Sequence, residues 1–211
     1  MSKFDIVYNK IFKNLYMTIP LLQLLLLELF SHRIRMCSVP FLLNVGIFYA
    51  LFLILLVICG HKGLPVVITS VLWGGIGLAN AMLLQFRQTP ILPWDLLSVK
   101  TALSVSSGYH LVFTSRIILT LVCYIVLVIL GFYLLKEKAF KTPKKRIISL
   151  IITLFLSVIL IIVVPLENLS KYIFMNTVSF YPDIQFSENG FAFSFLRDLK
   201  DIKVKKPEGY N

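Results

Sequence analysis

The apolar residues of this chain are gathered into five blocks, each about as long as a lipid bilayer is thick. They cover 11–30, 40–59, 64–86, 117–135 and 147–165. About 20 residues of helix cross the ~30 Å hydrocarbon core. A segment in lipid must satisfy its own backbone hydrogen bonds, so runs of this length are helices rather than strands. The expected fold class is therefore an all-α integral membrane protein with five transmembrane helices. Composition agrees: 58% of the 211 residues are hydrophobic and 15% charged, whereas soluble domains carry about a quarter charged residues. Mean hydropathy is +0.86. The first block lacks a small-x-small cleavage site, so a retained anchor is expected rather than a signal peptide.

The net charge of +11 has a membrane explanation, because lysines flanking spans face anionic lipid. No nucleic-acid-binding motif accompanies it, and no nucleic acid partner is expected. Lys and Arg also set orientation. With the N-terminus in the cytoplasm, the inner segments hold Lys3, Lys10, Lys13, Lys62, Lys136, Lys138, Lys141, Lys144, Lys145 and Arg146. The outer segments hold Arg33, Arg35, Arg87, Lys100 and Arg116. That ten-to-five bias predicts an N-terminus inside and a C-terminus outside a cell membrane. Two domains follow: a transmembrane domain over 1–166 and an extracellular juxtamembrane linker over 167–211. Pro20 is expected to kink the first span, since it removes a backbone donor.

Chemistry-bearing residues are sparse. Cys37, Cys59 and Cys123 form no disulfide or metal pattern. His32, His61 and His110 lie far apart without a carboxylate or thiol at ligand spacing. There is no Gly-rich phosphate loop, no His-Glu-x-x-His and no nucleophile elbow, and no cofactor or metal is expected in this chain. Glu28 reads as a snorkelling side chain or as the partner of an outer arginine, because an intramembrane carboxylate is costly alone. Asn44, Asn80 and Gln85 read as interhelical hydrogen-bonding groups.

The third block ends in an unusual boundary: Asn80, Arg87, Pro90, Pro93, Trp94 and Asp95 within sixteen positions. Proline stops a helix and tryptophan suits headgroup depth. Asn80 and Arg87 are seven residues apart, two helical turns, and share one face. Asp95 is placed to cap a short helix by accepting first-turn amides. Leu96, Val99 and Leu103 then give an interfacial helix between spans three and four. The prolines turn the chain back, so Asn80, Arg87, Asp95 and Arg116 are expected to form one polar cluster at the outer mouth of the bundle. A guanidinium forks onto phosphate oxygens, so these four residues are the candidate site for an anionic phospholipid headgroup. The competing reading is a staple in which Arg87 pairs with Asp95 only to fix the loop. Further on, Phe191, Phe195, Leu199 and Ile202 recur at helical spacing among Arg197, Asp198, Lys200, Asp201 and Lys203. This is an amphipathic helix whose apolar face lies on the bilayer, on the spans or on another domain.

The Asn80–Asp95 stretch, with Arg-x-x-Pro-x-x-Pro-x-Asp at its end, resembles the boundary after the third span in lipoteichoic acid synthases and related phosphoglycerol transferases. Asn189, Gly190 and Phe191, then Lys206, Pro207, Glu208, Gly209 and Tyr210, resemble the linker that precedes their catalytic domain. The resemblance implies a five-helix anchor for an outer, sulfatase-like α/β domain. In such enzymes that domain carries a divalent metal and a threonine nucleophile, and transfers glycerol phosphate from phosphatidylglycerol. The resemblance covers the anchor and linker, so the expectation is a truncated product, a fragment or half of a split enzyme that positions the catalytic domain and the lipid donor. No catalytic residue carries over. Two other classes compete: a small multi-span transporter subunit, and a noncatalytic membrane partner binding through the Phe191–Ile202 helix. Against the transporter, the blocks lack central charges and paired interruptions.

Overall fold

The computed structural model describes residues 15–31, 39–98, 112–140, 142–163 and 181–199, with side chains through Ile159 in the 143–163 helix. Several expectations fall outside the described residues: positions 11–14 of the first span, His32, Arg33, Arg35, Cys37, Val99, Lys100, Leu103, His110, Lys141 and the linker beyond Leu199. Among the described residues the chain is helical and has no strand. A 3-10 turn, Leu15–Thr18, leads into α1 (Ile19–Phe30). Then come α2 (Val39–Cys59), α3 (Gly63–Arg87), a 3-10 helix Pro93–Ser98, α4 (Ser115–Leu134) and α5 (Pro143–Val163). Two short helices follow, α6 (Pro182–Asn189) and α7 (Phe191–Asp198).

Three helices, α2, α3 and α4, are long and apolar enough to cross a membrane, and Leu15–Phe30 is a shorter apolar helix. The chain is thus compatible with a membrane protein. Pro20 does not kink a span. It sits in the first turn of α1, where its missing N–H would lack a helical partner in any case.

Helix α1 packs against α2, α3 and α4, and α5 packs against α2. The core joins Leu24, Leu27 and Phe30 of α1 to Phe48 and Phe52 of α2 and Trp73 of α3. Phe48 stacks on Trp73 at 4.1 Å, and Phe30 on Tyr124 at 6.0 Å. In lipid, close packing and interhelical hydrogen bonds hold helices together. Gln23 of α1 supplies such bonds, donating to Thr69 Oγ1 at 2.9 Å and Ser70 Oγ at 2.8 Å. Tyr124 of α4 donates to the Gln23 carbonyl at 2.8 Å. Helices α3 and α4 touch backbone to backbone: a Cβ on Gly63 would lie 2.2 Å from the Gly131 oxygen.

The two ends of the bundle differ. At the Lys62 end, the 60–62 turn pairs with 137–139 through Lys62 N to Glu137 O and Ala139 N to Gly60 O, both 3.0 Å. The Lys62 ammonium meets Glu137 at 2.5 Å and lies 4.9 Å from the Tyr16 ring centre. Arg146 of α5 donates to the last carbonyls of α2, Val57 at 2.7 Å and Ile58 at 2.6 Å. A guanidinium there satisfies acceptors left unpaired by the helix end and complements its dipole.

Candidate functional site

The polar groups predicted from the sequence gather at the opposite end of the bundle. Helix α3 ends at Gln88, whose φ of 57° is left-handed. This conformation is common just past a helix C-terminus, though glycine usually adopts it. The chain then folds back, and three predicted residues hold the fold. Asn80, fully buried, donates to Ser31 Oγ at 2.8 Å and accepts the Ile91 N–H at 2.9 Å. Arg87 grips both oxygens of Asp95 and donates to the Pro90 carbonyl at 2.8 Å. Asp95 also accepts the Leu92 N–H at 2.7 Å. It sits third in the 3-10 helix and reaches back to the residue before Pro93. This is the reverse-facing half of a capping box, and it replaces the expected capping of the helix's own first-turn amides. Pro93 opens the helix, where its lost donor costs little.

Arg116 stands apart. It is exposed in the first turn of α4, which Thr114 caps by accepting from Ile117 N. Gln85 of α3 reaches the adjacent Val112 carbonyl at 2.9 Å, so the two helix ends are neighbours. No hydrogen bond or ion pair joins the Arg116 side chain to Asn80, Arg87 or Asp95 among the described residues. The structure therefore brings together three of the four predicted site residues, and the Arg87 charge is committed to Asp95. In the 3-10 helix, Trp94, Leu96 and Leu97 are exposed.

Sequence reasoning missed the second half of this end. Helices α6 and α7 meet at Gly190, with φ 83° and ψ 160°, a region open essentially to glycine alone. The joint is locked onto α1 and α2. Glu28 of α1, 6% exposed, accepts the Phe191 N–H at 2.9 Å. Asn44 of α2 donates to the Asn189 carbonyl at 2.7 Å and accepts the Phe193 N–H at 2.9 Å. Glu28 is thus neither snorkelling nor paired with a described arginine. Asn44 does not bridge spans; it reads the backbone of the α6–α7 joint. Phe191, Ala192 and Phe193 are buried, and α7 packs against α2. Arg197 and Asp198 do not form a solvated face. Both are buried, and the Asp198 carboxylate accepts from Gln185 Nε2 at 3.1 Å and from Arg197 Nε at 3.3 Å. The only sequence signal was Asn189-Gly190, a turn dipeptide before an apolar run.

Between the two networks lies a cavity of about 210 Å³, bordered by Glu28, Ser31 and Asn80 of the bundle, by Gln88 and Pro90 of the turn, and by Asp183, Ser187 and Phe191 on α6–α7. Helix α7 also touches the Pro93–Ser98 helix. The arrangement can hold a segment rigidly at one end of the bundle. No group of three or more metal-ligating side chains occurs among the described residues. Comparison of the chain with family models, with curated proteins and with solved structures gives no match.

Proposed function

We propose that the chain is the membrane-anchor module of a lipoteichoic acid synthase-like phosphoglycerol transferase. In this reading it has five spans, the N-terminus in the cytoplasm and α6–α7 on the outer face. Its task is to fix the start of a linker so that a sulfatase-like catalytic domain stands at a set height and angle over its lipid. The observation that carries the reading is the lock of α6–α7 onto Glu28 and Asn44 through main-chain atoms. A segment held this way gives whatever follows Leu199 a rigid point of departure. Transferases gain from such placement, because misplacing reacting groups by about 1 Å costs up to ~100-fold in rate. Of the residues that carry the resemblance, Asn80, Arg87 and Asp95 also hold the Gln88–Asp95 turn. Arg116, exposed in the first turn of α4, is the member of the four-residue candidate site that would attract an anionic phospholipid headgroup.

The test is a fusion of a sulfatase-like phosphoglycerol transferase domain after Asn211, reconstituted with phosphatidylglycerol, a glycolipid acceptor and a divalent metal. The fusion should release diacylglycerol, and the 211-residue chain alone should release none. A fusion carrying Glu28→Ala and Asn44→Ala, still inserted in the membrane, should be slower by roughly tenfold or more. Equal rates from the two fusions, or release by the chain alone, would count against the proposal.

A further inference from the structure

The cavity between the spans and α6–α7 has a chemistry that the anchor role does not use. Glu28 faces it while being almost fully out of water. One of its oxygens accepts the Phe191 N–H. A single neutral N–H is thin compensation for a carboxylate in a membrane protein, where buried charges are retained only with partners. No Lys, Arg or His of the described residues borders the cavity. Phe186 and Phe191 line it as well, with ring centres 5.7 Å apart.

These features select among ligands. A phosphate would bring negative charge against Glu28. A neutral polyol could hydrogen-bond Glu28 but would bring no counter-charge. A water needs only about 10–15 Å³ of such space, so about 210 Å³ suits a small organic group better than a bare ion. An ammonium group meets each condition: it pairs with the carboxylate, donates to Ser31 Oγ, and gains from aromatic faces close by. We infer that this cavity binds a primary ammonium group, offered by a lipid headgroup or by a small free amine, with Glu28 as its counter-ion. The site shares Gln88 and Pro90 with the turn that the Arg87–Asp95 staple holds, and it does not depend on the transferase reading.

The experiment measures unfolding temperature of the full chain at constant ionic strength, so that screening does not differ between samples. Ethanolamine is the amine probe and ethylene glycol its neutral counterpart. In a second arm the chain sits in phosphatidylglycerol nanodiscs with or without phosphatidylethanolamine. An amine at saturation should raise the midpoint by about 5–10 °C. A shift with free ethanolamine assigns a soluble amine, and a shift confined to the phosphatidylethanolamine discs assigns a lipid. Glu28→Gln should abolish the shift. Ser187→Trp, which fills the cavity from its rim and leaves Glu28 in place, should abolish it too and guards against a folding defect in the first variant. The inference fails if ethylene glycol matches ethanolamine, if neither amine arm shifts the wild type, or if Glu28→Gln still responds. It also fails if a response appears only after Arg33 and Arg35 are both replaced by Gln, since the chain's own guanidinium would then be the counter-ion.

Discussion

The Glu28 carboxylate accepts the backbone N–H of Phe191 at 2.9 Å, across 163 positions of sequence. Together with Asn44 it fastens the α6–α7 joint to α1 and α2 through main-chain atoms, independently of the side chains that α7 carries.

Breaking that lock should release α6–α7 without unfolding the bundle. Asn44→Ala removes the acceptor of the buried Phe193 N–H and a donor to the Asn189 carbonyl, and a buried orphan costs about 1–3 kcal/mol. Amide exchange should report it. Phe191 and Phe193 should exchange roughly 30-fold faster for about 2 kcal/mol of local destabilisation, while core amides of α2 and α3 keep wild-type rates. Uniformly faster exchange in all helices would instead make Asn44 a global stability residue.

Gly190 is the second handle on the same joint. Its φ of 83° disfavours any side chain, and a Cβ there would lie 2.5 Å from the Asn44 amide nitrogen. Gly190→Ala should therefore cost about 1–3 kcal/mol and cancel part of the effect of Asn44→Ala in a double-mutant cycle. Denaturation in mixed micelles measures both. Strict additivity of the two substitutions would show that the joint and Asn44 are not in contact.

Arg87 and Asp95 should behave as a staple. Their side chains are 36% and 19% exposed, so after solvent screening the pair contributes about 1 kcal/mol or less. Arg87→Ala and Asp95→Ala should each loosen the Gln88–Asp95 turn, and the double variant should be little worse than either single one. Arg87→Lys should not rescue, because an ammonium lacks the fork that grips both Asp95 oxygens and the Pro90 carbonyl. Limited proteolysis between α3 and α4 is the readout.

Arg116 should separate folding from lipid attraction. Arg116→Gln is expected to leave the unfolding midpoint unchanged and to lower the number of phosphatidylglycerol molecules retained in native mass spectrometry. A loss of stability with unchanged lipid retention would make it a structural residue.

Much of the helical frame is legible because apolar blocks are local signals. The expected 40–59, 64–86 and 117–135 blocks coincide within a few residues with α2, α3 and α4. The Asn80–Arg87–Asp95 grouping is legible for the same reason: helical spacing and two prolines fix it within sixteen positions. Pro20 was misplaced because nothing in an unbroken apolar run marks where an α-helix takes over from a 3-10 turn. Glu28 and Asn44 were recognised as polar groups in spans, but their partners are backbone amides 145–163 positions away. A backbone amide leaves no trace in residue type. The charge pattern around Arg197 and Asp198 does not reveal that both are buried or that Gln185 donates to Asp198. Arg116 was grouped with Arg87 by position along the helices, and position does not specify which partner a long side chain takes.

The most direct measurement of the central claim is cysteine accessibility in intact cells, in a background lacking Cys37, Cys59 and Cys123. A membrane-impermeant maleimide should label a cysteine placed at Ser187, on α6, and spare one placed at Thr142, ahead of α5. That result puts α6–α7 on the outer face, where an anchor for an external transferase domain needs it. Labelling at Thr142 with protection at Ser187 would reverse the orientation and contradict the account.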